Sequence, residues 1–197
     1  MKRLVPMQIF RLASVIAGLL LAPSPTAGDT NDPMKLLRSF NSSPENPPWF
    51  AQNDPVMGGH SNGQAEITGG TLRFFGKLSL ENNGGFAQIY SPVEERDFSA
   101  YSGIILQVKG DGRSYQFRLA TKARFRGSPV AYRAEFPTEA NQWTEVTLPF
   151  SDFIPGYRGR TLSGPRLNPS SIERMGFLLA DGQEGNFLLQ VEWIGME

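Results

Sequence analysis

Residues 114–121 read SYQFRLAT, and this stretch decides the fold class. The apolar side chains of Tyr115, Phe117 and Leu119 alternate with polar ones. Successive side chains of a β-strand point to opposite faces of a sheet, so this alternation indicates a strand with one face in a core. From residue 64 onward, no helical period of useful length competes with this alternation.

Eight further apolar runs follow the same pattern from residue 64 onward, and clusters of Gly, Asn, Asp or Pro separate them. The predicted strands cover residues 64–68, 71–80, 85–91, 103–109, 114–121, 130–136, 143–150, 172–180 and 186–194. Short strands at this spacing are typical of two packed antiparallel sheets. The sequence therefore predicts an all-β jelly-roll sandwich.

The first residues predict an export signal. Lys2 and Arg3 supply a positive start, residues 12–22 form an apolar run, and small residues follow it. That run is too short for a bilayer and suits a signal peptide. We expect a signal peptide over residues 1–27, an N-terminal segment and linker over 28–48, and the sandwich over 49–197.

This signal predicts a periplasmic or secreted protein. The alternative is organellar import, because the first 28 residues contain no acid and include Lys2, Arg3 and Arg11. Beyond this segment no apolar run is long enough to cross a bilayer, so we expect a location peripheral to a membrane at most.

Charge and cysteine content exclude several functions. The chain has 19 basic and 19 acidic residues. Removal of the signal takes away three basic residues and no acidic ones, leaving 16 against 19 and a formal net charge of −3. A nucleic-acid binder would be strongly basic. The chain has no cysteine, which excludes thiolate nucleophiles and Cys-ligated zinc.

A short helix is predicted at the start of the mature chain. Asp32 suits the N-cap and Pro33 suits the first turn. Leu36, Leu37 and Phe40 would share one face of that helix.

Residues 53–61 read NDPVMGGHS and form the first candidate site. A proline and two adjacent glycines predict a loop with a fixed backbone path. In one interpretation Asp54, His60 and Ser61 present polar groups to a ligand or partner, and Trp49 offers a stacking surface.

The other interpretation of this loop is structural. Asp54 and Ser61 would satisfy backbone amides, and the Met57 side chain would fill the core. Gly58 and Gly59 would allow a tight backbone path.

His60 is the single histidine of the chain. Catalysis by a Ser-His-Asp arrangement needs partners that no spacing in the sequence provides, and no zinc-binding motif is present. We therefore expect no catalytic residue, no metal and no cofactor. An enzyme of another type would require a concave pocket with perturbed carboxylates near His60.

Basic residues form the second group of candidates. The segment 110–113 reads GDGR. It lacks the lysine and the following helix of a phosphate loop, so it predicts a hairpin turn. Arg113 in this turn is still a candidate partner contact. A basic stretch follows, which would bind an anionic glycan, a lipid headgroup or an acidic partner, or else form a solvated face paired with Glu135. It consists of Arg118, Lys122, Arg124, Arg126 and Arg133.

Several landmarks together resemble one protein family. They are Trp49 with DPVMGGHS at 54–61, NGGF at 83–86, YSGI at 101–104, KGDGRSY at 109–115, Trp143 with LPF at 148–150, and Ile172 with GF at 176–177. In this order, over residues 40–195, the chain resembles the complex I intermediate-associated protein 30 family. The resemblance implies a galactose-binding-like β-sandwich without a catalytic centre. The best-known family members help assemble respiratory complex I in mitochondria.

Two functional hypotheses follow. The first is a non-catalytic exported protein that acts through protein interaction, as an assembly or chaperone-like factor, with another protein or a membrane complex as its partner. The alternative is a carbohydrate-binding module in which Trp49, Asn82, Asn83 and Tyr115 stack on and hydrogen-bond a sugar; this is an analogy of fold. Ligand or partner contacts are predicted at Trp49, Asp54, Met57, Gly58, Gly59, His60, Ser61, Asn83, Arg113 and Arg118.

Overall fold

The computed structural model describes residues 34–41 and 46–197. The predicted signal peptide, residues 1–27, lies outside the described part. The described residues form thirteen β-strands and four short 3-10 helices. The strands are β1 (Lys35–Ser39), β2 (Phe50–Ala51), β3 (Asn62–Thr68), β4 (Thr71–Leu78), β5 (Ala87–Tyr90), β6 (Gly103–Lys109), β7 (Ser114–Phe125), β8 (Ser128–Pro137), β9 (Trp143–Pro149), β10 (Ile154–Tyr157), β11 (Arg160–Thr161), β12 (Ile172–Leu179) and β13 (Gly185–Met196).

These strands form two antiparallel sheets. The six-stranded sheet has the order β3-β4-β13-β6-β9, with β1 also paired to β13. The seven-stranded sheet has the order β11-β10-β8-β7-β12-β5-β2. The predicted all-β jelly-roll sandwich is confirmed, and all nine predicted strands are present, several with ends shifted by a few residues.

The core lies between the two sheets. The alternating residues Tyr115, Phe117 and Leu119 point into it and are at most 1% exposed. The ring centroids of Tyr115 in β7 and Phe74 in β4 lie 6.3 Å apart, so aromatic contacts join the two layers. One face of each sheet is therefore buried, and the other face is available for function.

The predicted N-terminal helix is wrong, because residues 35–39 form strand β1. This strand pairs with the end of β13, beyond the part of β13 that pairs with β4. Leu36 is 51% exposed whereas Phe40 is buried, so the two do not share a face. A helix of two turns is marginal alone, and an open edge of β13 offers β1 backbone partners instead. Part of the segment predicted as a linker thus belongs to a sheet.

The predicted hairpin at residues 110–113 is also wrong. The segment is a turn, but it leads from β6 in the six-stranded sheet to β7 in the seven-stranded sheet. The strands on its two sides pair with different neighbours, which local turn signals do not specify.

Within the described ranges no helix is long and apolar enough to span a bilayer.

Candidate functional site

The loop at residues 54–61 is built around the carboxylate of Asp54, which has no exposed surface. One oxygen accepts the backbone N–H of Ser61 at 2.8 Å, and the other accepts the Ser61 hydroxyl at 2.6 Å. That second oxygen also accepts the backbone N–H groups of Gly85 at 2.7 Å and Phe86 at 3.2 Å. Asp54 therefore ties its own loop to the loop that precedes β5.

These hydrogen bonds set the charge of the Asp54 side chain. Burial raises the pKa of the carboxyl, but hydrogen bonds from Ser61, Gly85 and Phe86 outweigh burial, and the net pKa lies below its usual value. The carboxylate stays ionised, and its contacts point inward.

The two glycines of this loop are required by its geometry. Gly58 has φ of 92°, a conformation that side chains rarely adopt. A Cβ on Gly59 would overlap the Asp54 carboxyl group. The positions of Gly58, Gly59 and Ser61 thus follow from how the loop closes on Asp54. The Met57 side chain lies outside the described part of the structure.

His60 lies on the exterior of the same loop. Its Nδ1 is 2.8 Å from an oxygen of Glu81, and its Nε2 is 3.1 Å from the amide nitrogen of Asn82. All three residues are exposed, and so is Asn83, which has φ of 58°. In the described residues no group of three His, Cys, Asp or Glu side chains is arranged to hold a metal ion.

The aromatic residues that were predicted to stack on a sugar are in the core. Trp49 is 7% exposed, and its ring lies 5.8 Å from that of Phe177. Tyr115 is fully buried, and its hydroxyl donates to Asp111 at 3.0 Å. Neither ring presents a face to solvent, so the stacking role predicted for Trp49 and Tyr115 does not fit their burial.

Arg113 is buried in a clamp between two turns that connect the sheets. Its Nε donates to Asp181 Oδ2 at 2.8 Å and its Nη2 to Oδ1 at 2.6 Å. The guanidinium also donates to the backbone carbonyls of Gln183 and Asn186. Hydrogen bonding to Asp181 is the main cause that raises the pKa of Arg113. Its donors are used within the fold rather than offered to a partner.

Arg118 belongs to a different surface, the side of the seven-stranded sheet opposite the core, called here the outer face. Cross-strand pairing places six residues in one row across this face. The neighbouring core positions point inward, so side chains in the row point outward. In order across β2, β5, β12, β7, β8 and β10 the row is Phe50, Tyr90, Gly176, Arg118, Arg133 and Ile154.

The centre of the outer face is a polar cluster. The hydroxyl of Tyr90 and Nη1 of Arg118 both donate to Oε1 of Gln88 at 2.9 Å. A Cβ on Gly176 would overlap the Tyr90 ring, so the glycine leaves space for that ring. The Arg174 guanidinium lies 5.5 Å from the ring centroid. The Tyr90 side chain is thus held between Gln88, Gly176 and Arg174.

Three arginines on the outer face have no acidic partner among the described residues. Within the described ranges Arg118, Arg133 and Arg174 make no ion pair. Burial is the main cause that lowers the pKa of Arg118; Tyr90 opposes it, and the charge of Arg133 adds a smaller lowering effect. The Nε atoms of Arg118 and Arg174 are buried and have no hydrogen-bond partner in the described part of the chain.

The rest of the basic stretch is arranged differently. Lys122 pairs with Glu95 at 2.8 Å and Arg124 with Glu173 at 3.3 Å. Glu135, predicted to pair with this stretch, accepts a hydrogen bond from Gln116 instead. The structure therefore separates surface ion pairs from the unpaired arginines of the outer face.

Sequence reasoning found Arg118 and Arg133 but missed Gln88, Tyr90 and Arg174. Those three residues come from β5 and β12, which lie far from β7 in the sequence. Alternation along each strand indicates which side chains point outward, but it does not give the order of strands that makes them neighbours.

Comparisons with known proteins agree with this architecture. Residues 38–191 match the family model of Complex I intermediate-associated protein 30. The mitochondrial Complex I intermediate-associated protein 30 of Mus musculus is 27% identical over 169 residues, which cover 75% of this chain and 51% of the mouse protein. The Drosophila melanogaster protein of the same name is 27% identical over 106 residues, covering 51% of this chain and 36% of the fly protein. The chain spans about half or less of the length of these curated relatives.

Solved structures show the same fold. A family 11 carbohydrate-binding module from Clostridium thermocellum, in complex with a β-1,3-1,4-mixed-linked tetrasaccharide, superposes with a TM-score of 0.61 at 17% identity, over 83% of this chain and 94% of the module. The agarase AgWH50C superposes with a TM-score of 0.54 at 12% identity, over 83% of this chain and 24% of the agarase.

The family model covers most of the chain, and the chain therefore belongs to the complex I intermediate-associated protein 30 family.

Proposed function

We propose that this protein is a non-catalytic binding protein, an assembly or chaperone-like factor whose outer face contacts a partner protein. The observation that carries this proposal is the composition of that face. Phe50 is 54% and Ile154 is 46% exposed at the two ends of the row, and Tyr90 and three arginines lie near its centre. Aromatic residues and arginine are enriched at protein interfaces and dominate their hot spots.

Family membership supports an assembly role. The mouse and fly relatives carry the name Complex I intermediate-associated protein 30. The partner of this chain is proposed to be another protein, or a protein of a membrane complex, rather than a nucleic acid.

The compartment of the protein is part of the proposal. The signal expected in residues 1–27 directs it to the periplasm or outside the cell, with organellar import as the alternative. An exported protein would not meet the matrix side of a respiratory complex, so its partner would differ from that of the mitochondrial relatives. N-terminal sequencing of the natively expressed protein, with cell fractionation, tests this: a cleaved chain in the periplasm or medium supports export, and an uncleaved cytosolic chain contradicts it.

Affinity capture tests the main proposal. The full chain is tagged at its C-terminus, expressed in its native cell, crosslinked and purified. We expect one discrete protein partner that is reproducibly enriched over a tag-only control. Repeated recovery of nothing above that control would contradict the proposal.

Carbohydrate binding is the second candidate, favoured by one observation. The structural neighbour from Clostridium thermocellum shares the sandwich and is a carbohydrate-binding module. The outer face offers the partly exposed Tyr90 and Gln116 for contacts with sugar hydroxyls. A glycan array decides: specific glycan binding would replace the protein-interaction proposal, and absence of binding on the array would remove the alternative.

A further inference from the structure

We infer that the outer face binds an acidic, extended segment of the partner protein, with the carboxylates of that segment held by Arg118, Arg133 and Arg174. This inference rests on the proposed function and names the chemistry of the partner. The evidence for it is the charge and the contacts of the arginines on the outer face.

Arg118 lacks a counter-ion among the described residues. The residue is partly buried, its Nε is buried with no hydrogen-bond partner among the described residues, and its Nη1 donates to the neutral Gln88. A buried guanidinium without a counter-ion is costly, because burial removes its hydration and a neutral acceptor replaces little of it. A carboxylate from outside would supply the missing charge and would suit the planar guanidinium fork.

Two further arginines, Arg133 and Arg174, lie on the same face as Arg118. Arg133 pairs with it directly across β7 and β8, and its Nη2 donates to the neutral hydroxyl of Thr161 at 2.7 Å. Arg174 lies over Tyr90 and makes no ion pair within residues 34–41 and 46–197. The charge of Arg133 acts unfavourably on Arg118, and a ligand with several carboxylates would relieve that repulsion and give Arg174 an acidic partner.

The width of the row determines the length of the ligand that can cross it. Neighbouring strands lie about 4.8 Å apart, so the six strands of the row span roughly 24 Å. An extended peptide rises about 3.3 Å per residue, so about seven residues cross the row. Phe50 and Ile154 are exposed at its two ends and fit apolar side chains. The expected segment has acidic residues at its centre and an apolar residue at each end, which an anionic glycan does not provide.

The test uses a synthetic probe with the full chain. The probe is a fluorescein-labelled heptapeptide with three central glutamates and a leucine at each end, and its matched control has glutamines in place of the glutamates. Fluorescence anisotropy should show binding of the glutamate peptide, weakened as salt screens the charges. Equal binding of the glutamine peptide, or no binding of either peptide, would overturn the inference.

Variants then locate the site. The double variant Arg133→Gln/Arg174→Gln should bind the glutamate peptide at least about tenfold more weakly, since two charge-assisted hydrogen bonds to its carboxylates are lost. The control Lys122→Gln/Arg124→Gln removes the same charge from residues already paired with Glu95 and Glu173, and should change the affinity by less than about twofold. Urea unfolding of each variant confirms that it is folded. Similar effects of the two double variants would overturn the inference.

Competition experiments distinguish an acidic peptide from other anions as the ligand. Hexagalacturonate or inorganic phosphate should displace the peptide poorly. If either anion binds tightly and the peptide does not bind, that anion, rather than an acidic segment, is the ligand of the outer face, and the inference fails. If the Arg133→Gln/Arg174→Gln variant still captures the native partner, this inference fails and the proposed function stands; if the unchanged protein captures no partner, the proposed function itself fails.

Discussion

At the scale of single residues, Asp54 shows how one buried carboxylate organises two loops. It accepts hydrogen bonds from Ser61, Gly85 and Phe86 and has no exposed surface. This burial favours the structural interpretation for Asp54 and Ser61, because their polar groups are used inside the protein. His60 alone among the polar side chains of the loop points outward, toward Glu81 and Asn82.

Replacement of Asp54 by asparagine should destabilise the fold. An amide has one acceptor oxygen in place of two, and its NH₂ group would face the N–H groups that now donate to the carboxylate. We expect the free energy of unfolding to fall by about 3 kcal/mol, measured by urea denaturation with an unchanged slope. The exposed Asp152→Asn is the matched control and should stay within about 0.5 kcal/mol of the unchanged protein. Equal effects of the two substitutions would contradict the anchor role.

Acid should destabilise the protein through the same carboxylate. The pKa of Asp54 is lower in the folded state than in the unfolded chain, whose value is about 3.9. A lowered folded-state pKa contributes stability that is complete above the unfolded value and is lost as pH falls toward the folded one. Unfolding free energy should therefore decline below about pH 4, and the difference between unchanged protein and Asp54→Asn should shrink there. A difference that stays constant down to pH 2.5 would argue against an ionised Asp54.

At the scale of elements, the turns that cross between the sheets carry the most specific contacts. Arg113, just before β7, binds the turn between β12 and β13 through Asp181. From sequence, the GDGR segment and the Asp181-Gly182 pair are both recognisable as turns. Their contact depends on the crossing of β6 to β7 and of β12 to β13 between sheets, which neither turn specifies alone.

Breaking this clamp should be costly. Arg113→Met would leave the Asp181 carboxylate, 7% exposed, without its bidentate partner, and we expect a loss of about 3 kcal/mol in unfolding free energy. Arg73→Met removes an exposed pair with Glu66 and should cost less than about 1 kcal/mol. Thermal and urea unfolding of both variants make the comparison, and a cost for Arg113→Met no larger than for Arg73→Met would refute the clamp.

The pairing of β3 with β4 depends on a close backbone approach. Gly76 has φ of 155° and faces Gly63, and a Cβ on Gly76 would overlap the carbonyl oxygen of Asn62. Gly76→Ala should destabilise the protein by more than about 3 kcal/mol or prevent folding. Gly69→Ala, in the turn between the same strands, meets open space and should cost only about 1 kcal/mol for its positive φ. Circular dichroism and urea unfolding would decide, and equal tolerance of both changes would disprove the close approach.

At the scale of the whole molecule, the alternation of single strands was enough to predict the sandwich. It placed Phe117 inside and Arg118 outside correctly. The strands that the sequence did not reveal, such as β2 and β11, are two residues long and exist through their pairing with neighbours. The outer face was beyond sequence reasoning for the same reason, since Tyr90, Arg118 and Arg174 become neighbours through sheet order.

Contact between the outer face and a partner protein is best tested by site-specific photo-crosslinking in the native cell. A photoreactive amino acid is placed at Glu135, which is exposed on the outer face of the seven-stranded sheet, or at Glu145, which is exposed on β9 of the six-stranded sheet. Contact of the outer face with a partner protein predicts a discrete protein adduct from position 135 and none from position 145. An adduct from position 145 alone, or no protein adduct from either position, would contradict it.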